Sequence, residues 1–193
     1  MGSECVVVLV TGVPGTGKST ISSLLASELN GSHIELSYLV KEGGLSLGWD
    51  HSRATAIADI NALRKSITNI LDVSSSPVII DGHYSPEVVA YNRVTLVIVL
   101  RRAPWILRTE LTMRGYKPQK VRENVEAELL GNCLVDALDL QDHAKICEIN
   151  TTDLTPQETA KLVLAVLKGK VACGYGRVDW MNQPEAETML RGL

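Results

Sequence analysis

Cys5-Val-Val-Val-Leu-Val-Thr11 runs directly into Gly12-Val-Pro-Gly15-Thr16-Gly17-Lys18-Ser19-Thr20, and this stretch decides the fold. Its first half is apolar and β-branched without alternation, which predicts a strand covered on both faces, as in a parallel sheet. Its second half satisfies G-x-x-x-x-G-K-[ST]. Ser19, Ile21, Leu24, Leu25 and Leu29 then recur at helical spacing, and Asn30-Gly31 supplies the stop. Strand, glycine-rich loop and helix in that order form a phosphate cradle: glycines let successive backbone N–H groups turn inward, and the helix N-terminus adds its positive dipole end. The motif assigns Lys18 to the β and γ phosphates of a nucleotide and the Ser19 hydroxyl to Mg²⁺. Gly12, Gly15, Thr16, Gly17, Lys18, Ser19 and Thr20 are the candidate ATP-binding residues.

Further strands are predicted at His33 to Leu36, Pro77 to Ile80, Val94 to Leu100 and Lys145 to Ile149. Helical patterns lie between them, over Ser52 to Leu71, Pro104 to Met113, Lys117 to Leu140, and Pro156 to Leu167 behind an N-cap at Thr155. Strands alternating with helices imply parallel βαβ units, hence an α/β fold. With 193 residues and 45% hydrophobic content, the chain suits one packed domain. From Gly169 the pattern changes: Gly174-Tyr-Gly176, Trp180 and Pro184 lack periodicity and read as a tail over 169–193. This tail is expected to pack on the domain or on a partner.

No apolar run approaches the ~20 residues that span a bilayer, and no charged segment precedes an apolar one at the start, so a cytoplasmic protein is expected. Cys5, Cys133, Cys147 and Cys173 are scattered without a C-x-x-C pair, a pattern that predicts four reduced thiols. The net charge of −3 argues against a general nucleic-acid binder. Charge is nonetheless uneven. Seven basic residues fall between Arg101 and Arg122 against Glu110 alone, a local +6, and the rest of the chain carries −9. A basic segment in an acidic body suggests a localised anionic ligand.

Val78-Ile-Ile-Asp81-Gly82-His83 is an apolar strand that ends in an acid at the carboxyl edge of the sheet, where open α/β sheets bind ligands. Asp81 is placed to hold the Mg²⁺ shell or to orient the attacking oxygen, and His83 to orient a nucleophile or water. Arg114, in Arg114-Gly115-Tyr116, joins two helical patterns and is a candidate for stabilising the charge of phosphoryl transfer from a closing segment.

These features together resemble the adenylate kinase 6 family, CINAP, in its archaeal branch. The resemblance is carried by the P-loop, Asp81-x-His83, Leu100-Arg101, Arg114-Gly115-Tyr116 and Glu123-Asn124-x-x-Ala127-Glu128, with Gly176-Arg-Val-Asp-Trp180 in the tail. It implies a nucleoside monophosphate kinase fold over 1–168 with a parallel five-stranded sheet, a monophosphate-binding insert at about 35–58 and a short lid at about 113–123. It also implies transfer from ATP to AMP and related monophosphates, ATPase activity, and a part in small ribosomal subunit maturation through the ribosomal protein uS11 and the pre-30S particle. Carried over by position, Gly15, Gly17, Lys18, Ser19 and Thr20 bind ATP, Arg114 binds it from the lid, and Asp81 with His83 serves catalysis; in this reading Lys18 and Arg114 are catalytic too, Ser19 and Asp81 hold the metal, and Ser37 and Lys41 meet the acceptor. Four positions depart from the family pattern. Glu110 stands where an arginine is common, Ser37-Tyr38 replaces a Gly-Asp type pair, and Lys41 offers a point charge where arginine offers a fork. The competing readings are an ATP-gated assembly factor in which hydrolysis dominates, and a kinase of another small metabolite on the same fold.

Overall fold

A computed structural model describes residues 5–51 and 55–190. Its centre is β1 (Val7–Thr11), every residue of which is buried. On either side lie β5 (Val78–Asp81) and β6 (Leu96–Arg101), with β2 (Ser32–Glu35) and β7 (Ile146–Asn150) at the edges. All four pairings are parallel, in the order β2-β5-β1-β6-β7. The expected five-stranded sheet is therefore present. Because the chain leaves β1 toward one edge and later returns to its other side, the carboxyl end of β1 is a switch point, where such sheets bind ligands.

Side-chain alternation divides the core into two layers. Val8, Val10, Ile79, Ile98 and Leu100 face α1 (Lys18–Glu28) and α8 (Pro156–Leu167). Val7, Leu9, Ile80, Val97 and Val99 face α3 (Ile60–Val73), α5 (Pro104–Met113), α6 (Pro118–Leu129) and α7 (Asn132–Leu140). Thr155 caps α8 through the reciprocal box with Glu158 that its sequence suggests.

Two helical readings need correction. The pattern over Ser52 to Leu71 is helical only from Ile60, where Asp59 caps α3 by accepting from the Ala62 N–H at 2.9 Å. Upstream, β3 (Ser46–Asp50) and β4 (Thr55–Ala58) pair antiparallel; residues 52–54 lie outside the described residues. The pattern over Lys117 to Leu140 is two helices, split at Gly131 with φ +69. That left-handed φ is what favours glycine here, and the turn lies against the Arg101 guanidinium, which an added Cβ would meet at an ordinary 3.5 Å.

That arginine explains the tail. Arg101 is buried, with Nε 2.7 Å from Glu128 Oε1 and Nη1 2.5 Å from Glu148 Oε1. Glu148 Oε2 accepts the backbone N–H groups of Gly176, Arg177 and Val178 at 2.9, 3.0 and 3.3 Å. Glu128 Oε1 also accepts from Trp180 Nε1 at 2.8 Å. Trp180 is buried edge-on against Trp105 of α5, and α9 (Pro184–Leu190) follows it. The tail thus packs on its own domain. Along the way the Glu148 N–H donates to Gly174 O at 2.9 Å, which lays Cys173 beside Cys147. The two form a disulfide with Cα atoms 5.2 Å apart, so the expectation of four free thiols holds only for Cys5 and Cys133. Sequence spacing could not show this pairing, because it depends on the return path of the tail. Among the described residues no helix is long and apolar enough to cross a membrane.

Candidate active site

The loop after β1 turns on Gly12, whose φ of +143 favours glycine and whose added Cβ would meet Leu100 O at 2.6 Å. Gly12 is buried and works by permitting the turn. The Val13 carbonyl gathers donors: Thr16 Oγ1 at 2.9 Å and Lys18 Nζ at 3.1 Å. Lys18 is half-buried, and desolvation lowers its pKa against the pull of nearby groups that include Asp81, Glu35 and Glu128. Its ammonium is held by one neutral carbonyl, a contact that a phosphate can displace.

A cleft of about 430 Å³ opens over this loop. Gly15, Gly17, Lys18, Ser19 and Thr20 form its base. One wall comes from Glu35 at the end of β2, Ser37 and Lys41 of α2 (Leu36–Glu42), and Thr55 of β4. Asp81, His83 and Tyr84 close the back, while Arg114 and Tyr116 reach in from the corner between α5 and α6. The cleft therefore brings together Lys18, Ser19, Thr20, Ser37, Lys41, Asp81, His83 and Arg114. Ser37 Oγ donates to Glu35 Oε1.

Asp81 is only 1% exposed, and its Oδ2 has no hydrogen-bond partner. Its ionic neighbour is His33 Nε2 at 3.4 Å. Asp81 also lines the cleft, and Ser19 adds a hydroxyl to it. Two hard oxygen donors facing a phosphate cradle fit Mg²⁺, which binds through one or two side chains plus waters and phosphates. No cluster of three or more His, Cys, Asp or Glu ligands occurs among the described residues. His83 opens onto the cleft beyond Asp81, yet the surrounding protein desolvates its ring. That desolvation, and secondly the Lys18 charge, lower its pKa to about 4, so the imidazole is neutral at pH 7.

A second cavity of about 200 Å³ lies across the start of α1. It shares Gly15, Gly17, Thr20 and Arg114 with the first, adds Thr16, and is closed by Arg102, Glu110, Thr151 and Leu154. Arg102 Nε and Nη2 grip the Glu110 carboxylate at 2.9 and 2.5 Å, and its Nη1 donates to Thr151 O at 2.9 Å. Glu110 thus fixes an arginine that arrives from the end of β6. The basic segment is accordingly no single ligand surface, since Arg101 and Arg102 serve internal carboxylates and Arg114 faces the site. Sequence reasoning passed over Arg102, Thr151 and Leu154. The available signal was the carboxyl end of β7, which approaches the site as the ends of β1 and β5 do.

Fold and site together define the P-loop kinase class. Among solved structures, the chain is similar to the YorR protein of Bacillus subtilis, determined with phosphorylated GDP, at 16% identity and TM-score 0.56, covering 84% of this chain and 95% of that one. It is similar also to shikimate kinase of Aquifex aeolicus, at 20% identity and TM-score 0.52, covering 84% and 96%. Likeness at this level speaks for the fold alone. Closer in sequence is a protein of Methanococcus maripaludis provisionally named adenylate kinase, 34% identical over 181 residues that cover 91% of this chain and 96% of the relative. A protein of Pyrococcus abyssi with the same provisional name is 34% identical over 90% of each chain. Residues 8–131 match the AAA domain family model AAA_18, and the chain belongs to that family.

Proposed function

We propose that the chain is a cytoplasmic, ATP-dependent nucleoside monophosphate kinase that moves the γ-phosphoryl group of ATP onto AMP or a related monophosphate. One observation carries this reading: two cavities meet at Arg114, directly above the P-loop. The Arg102–Thr151 side suits the base of ATP, and the Glu35–Lys41 side suits an acceptor nucleotide. Their phosphates then converge over Lys18, Ser19 and Asp81. The provisional name of the archaeal relatives points the same way.

Catalysis in such a site is positioning plus electrostatics. Lys18 exchanges the Val13 carbonyl for the β and γ phosphate oxygens. Arg114, at the end of α5, sits over the transferring group and neutralises charge that grows on its equatorial oxygens. Ser19 and Asp81 would hold Mg²⁺, directly or through water, and when bound this ion neutralises and orients the β and γ phosphates. Lys41 anchors the acceptor phosphate, with the Ser37 hydroxyl beside it. Closure of the corner around residues 113–123 excludes water and separates transfer from hydrolysis.

The neutral His83 favours a second activity on the same site. Imidazole with a pKa of about 4 keeps a lone pair at pH 7 that can orient a water toward the γ-phosphate, which supports ATP hydrolysis. The resemblance to the adenylate kinase 6 family extends the proposal to small-subunit maturation with uS11 and the pre-30S particle, and the acidic charge outside residues 101–122 suits a basic partner. The kinase reading is tested by ADP formation from ATP with and without each monophosphate at matched Mg²⁺. Stimulation by at least one monophosphate, with its diphosphate as product, is expected, and ADP formation indifferent to all of them refutes it. A titration of labelled uS11 at two salt concentrations tests the partner: salt-weakened 1:1 binding is expected, and none at low salt removes it.

A further inference from the structure

The polar face of α1 does not end at Ser19. One turn on, Ser23 Oγ lies 3.1 Å from His33 Nδ1, and the other ring nitrogen, Nε2, lies 3.4 Å from Asp81 Oδ2. Sheet register builds this line: His33 pairs with Ile79 and Glu35 with Asp81, so His33 and Asp81 share the face covered by α1. Both Nε2 and Oδ2 are sealed from solvent, and among the described residues neither makes a hydrogen bond, not even to the other. Two complementary orphans that face each other at this distance are a contact waiting to close.

Resting on the reading of Asp81 as the acid that holds Mg²⁺, we propose that His33 is a positioning residue for the reaction, donating from Nε2 to Asp81 Oδ2 and so fixing the carboxylate for its metal-bound water. The tautomer follows from the partners. A carboxylate only accepts, so Nε2 carries the proton; Nδ1 then offers its lone pair and accepts from the Ser23 hydroxyl. The separation of 3.4 Å exceeds an ordinary N–H···O bond. Catalytic hydrogen bonds are often long in the free enzyme and tighten when the site is loaded. Asp81 has two oxygens, so holding Oδ2 leaves Oδ1 for the cleft. Glu35, the other carboxylate at this edge, only accepts hydrogen bonds, here from Ser37, and so cannot take the histidine's place as a donor to Asp81.

The test uses the full chain and four variants: His33→Leu, His33→Gln, Ser23→Ala and Asp81→Asn. A long-range ¹H–¹⁵N spectrum of the wild-type imidazoles, with and without Mg²⁺·ADP, reads the tautomer without reference to activity, and mapping the His33 signal uses the variants. Protonation at Nε2, with the proton moving downfield on loading, is expected; protonation at Nδ1 overturns the proposal even if a variant fails to fold. Titration with Mg²⁺ at fixed ATP then reads function. Outer-shell partners of metal ligands typically set affinity by 10–100-fold, so His33→Leu is expected to raise the half-activating Mg²⁺ about tenfold while KM for AMP stays within about twofold. Glutamine can present an N–H near the Nε2 position and restores most of the loss. Ser23→Ala moves Mg²⁺ dependence in the same direction by less. Equal behaviour of the Leu and Gln variants, or no shift in either, overturns the role of His33. Unchanged Mg²⁺ dependence in Asp81→Asn instead overturns the assignment of Asp81, a different failure.

Discussion

Replacing Glu148 with glutamine strikes the point where the tail is fastened. Its two oxygens serve different masters: Oε1 meets Arg101 at 2.5 Å, and Oε2 accepts three backbone N–H groups from residues 176–178. An amide cannot do both. Either its NH₂ faces the guanidinium or it faces the three N–H donors. Breaking one side of a buried ion pair costs about 3–5 kcal/mol, because the remaining charge is left uncompensated. For a chain of this size each kcal/mol lowers Tm by about 2–4 °C, so the drop should be about 6–20 °C. The melt is followed by circular dichroism under reducing conditions, so that the Cys147–Cys173 bond does not hold the tail in place. Emission of Trp180, freed from Trp105 and Glu128, should shift to the red in the native baseline. A Tm within about 2 °C of wild type, with unchanged emission, would mean that the network adds no more than about 1 kcal/mol and that the reasoning is wrong.

Lys18→Met should abolish both transfer and hydrolysis with little change in Tm, since the ammonium bonds only the Val13 carbonyl; retention of more than about a tenth of the rate, under ~1.4 kcal/mol of effect, would remove the P-loop from the chemistry. Glu110→Ala unpins Arg102 and should raise KM for ATP several-fold while leaving that for AMP in place, and the reverse pattern would exchange the two cavities. His83→Ala should depress hydrolysis at least as much as transfer, and equal small losses would make the residue structural. The His83 pKa falls from 6.5 unfolded to about 4 folded, so the unfolded chain binds more protons between these values and stability rises with pH across that window. The contribution is complete above the unfolded value and fades as pH falls toward 4; His83→Ala should flatten that part of the stability profile, and an unchanged slope would contradict the assigned shift.

Much of the sheet was legible because buried parallel strands write themselves as unbroken apolar runs, as in Val7–Thr11 and Leu96–Arg101. The P-loop was legible because its geometry admits few residues. Three features were hidden for different reasons. The β3–β4 hairpin is largely exposed and short, so neither alternation nor burial marks it against the helical pattern that follows. Gly131 interrupts an apolar periodicity that continues on both sides, and the break shows only in its left-handed backbone. Arg102 and Thr151 come from strand ends some fifty residues apart and are joined by a single hydrogen bond, a contact with no local signature. The candidate site residues proposed from sequence each sit in a short local stretch: the P-loop, Asp81-x-His83, Arg114-Gly115-Tyr116, and Ser37 to Lys41. Those missed depend on where the sheet brings separate strand ends together.

The fastening of the tail also orders events during synthesis. Arg101, Glu128 and Glu148 are made well before Gly176 to Trp180, and chains grow at about 5–20 residues per second, N-terminal parts folding first. A chain that has reached only residue 175 holds both acids for Arg101, but three of the donors for Glu148 and the indole for Glu128 are still to come. Until they arrive, polar atoms destined for the interior must stay near water, and the side of β7 and α5 that the tail covers stays open. The segment from Gly176 to Trp180 thus acts as a latch on the domain, and a chain cut back to just before residue 176 would be a loosened form with its P-loop already made.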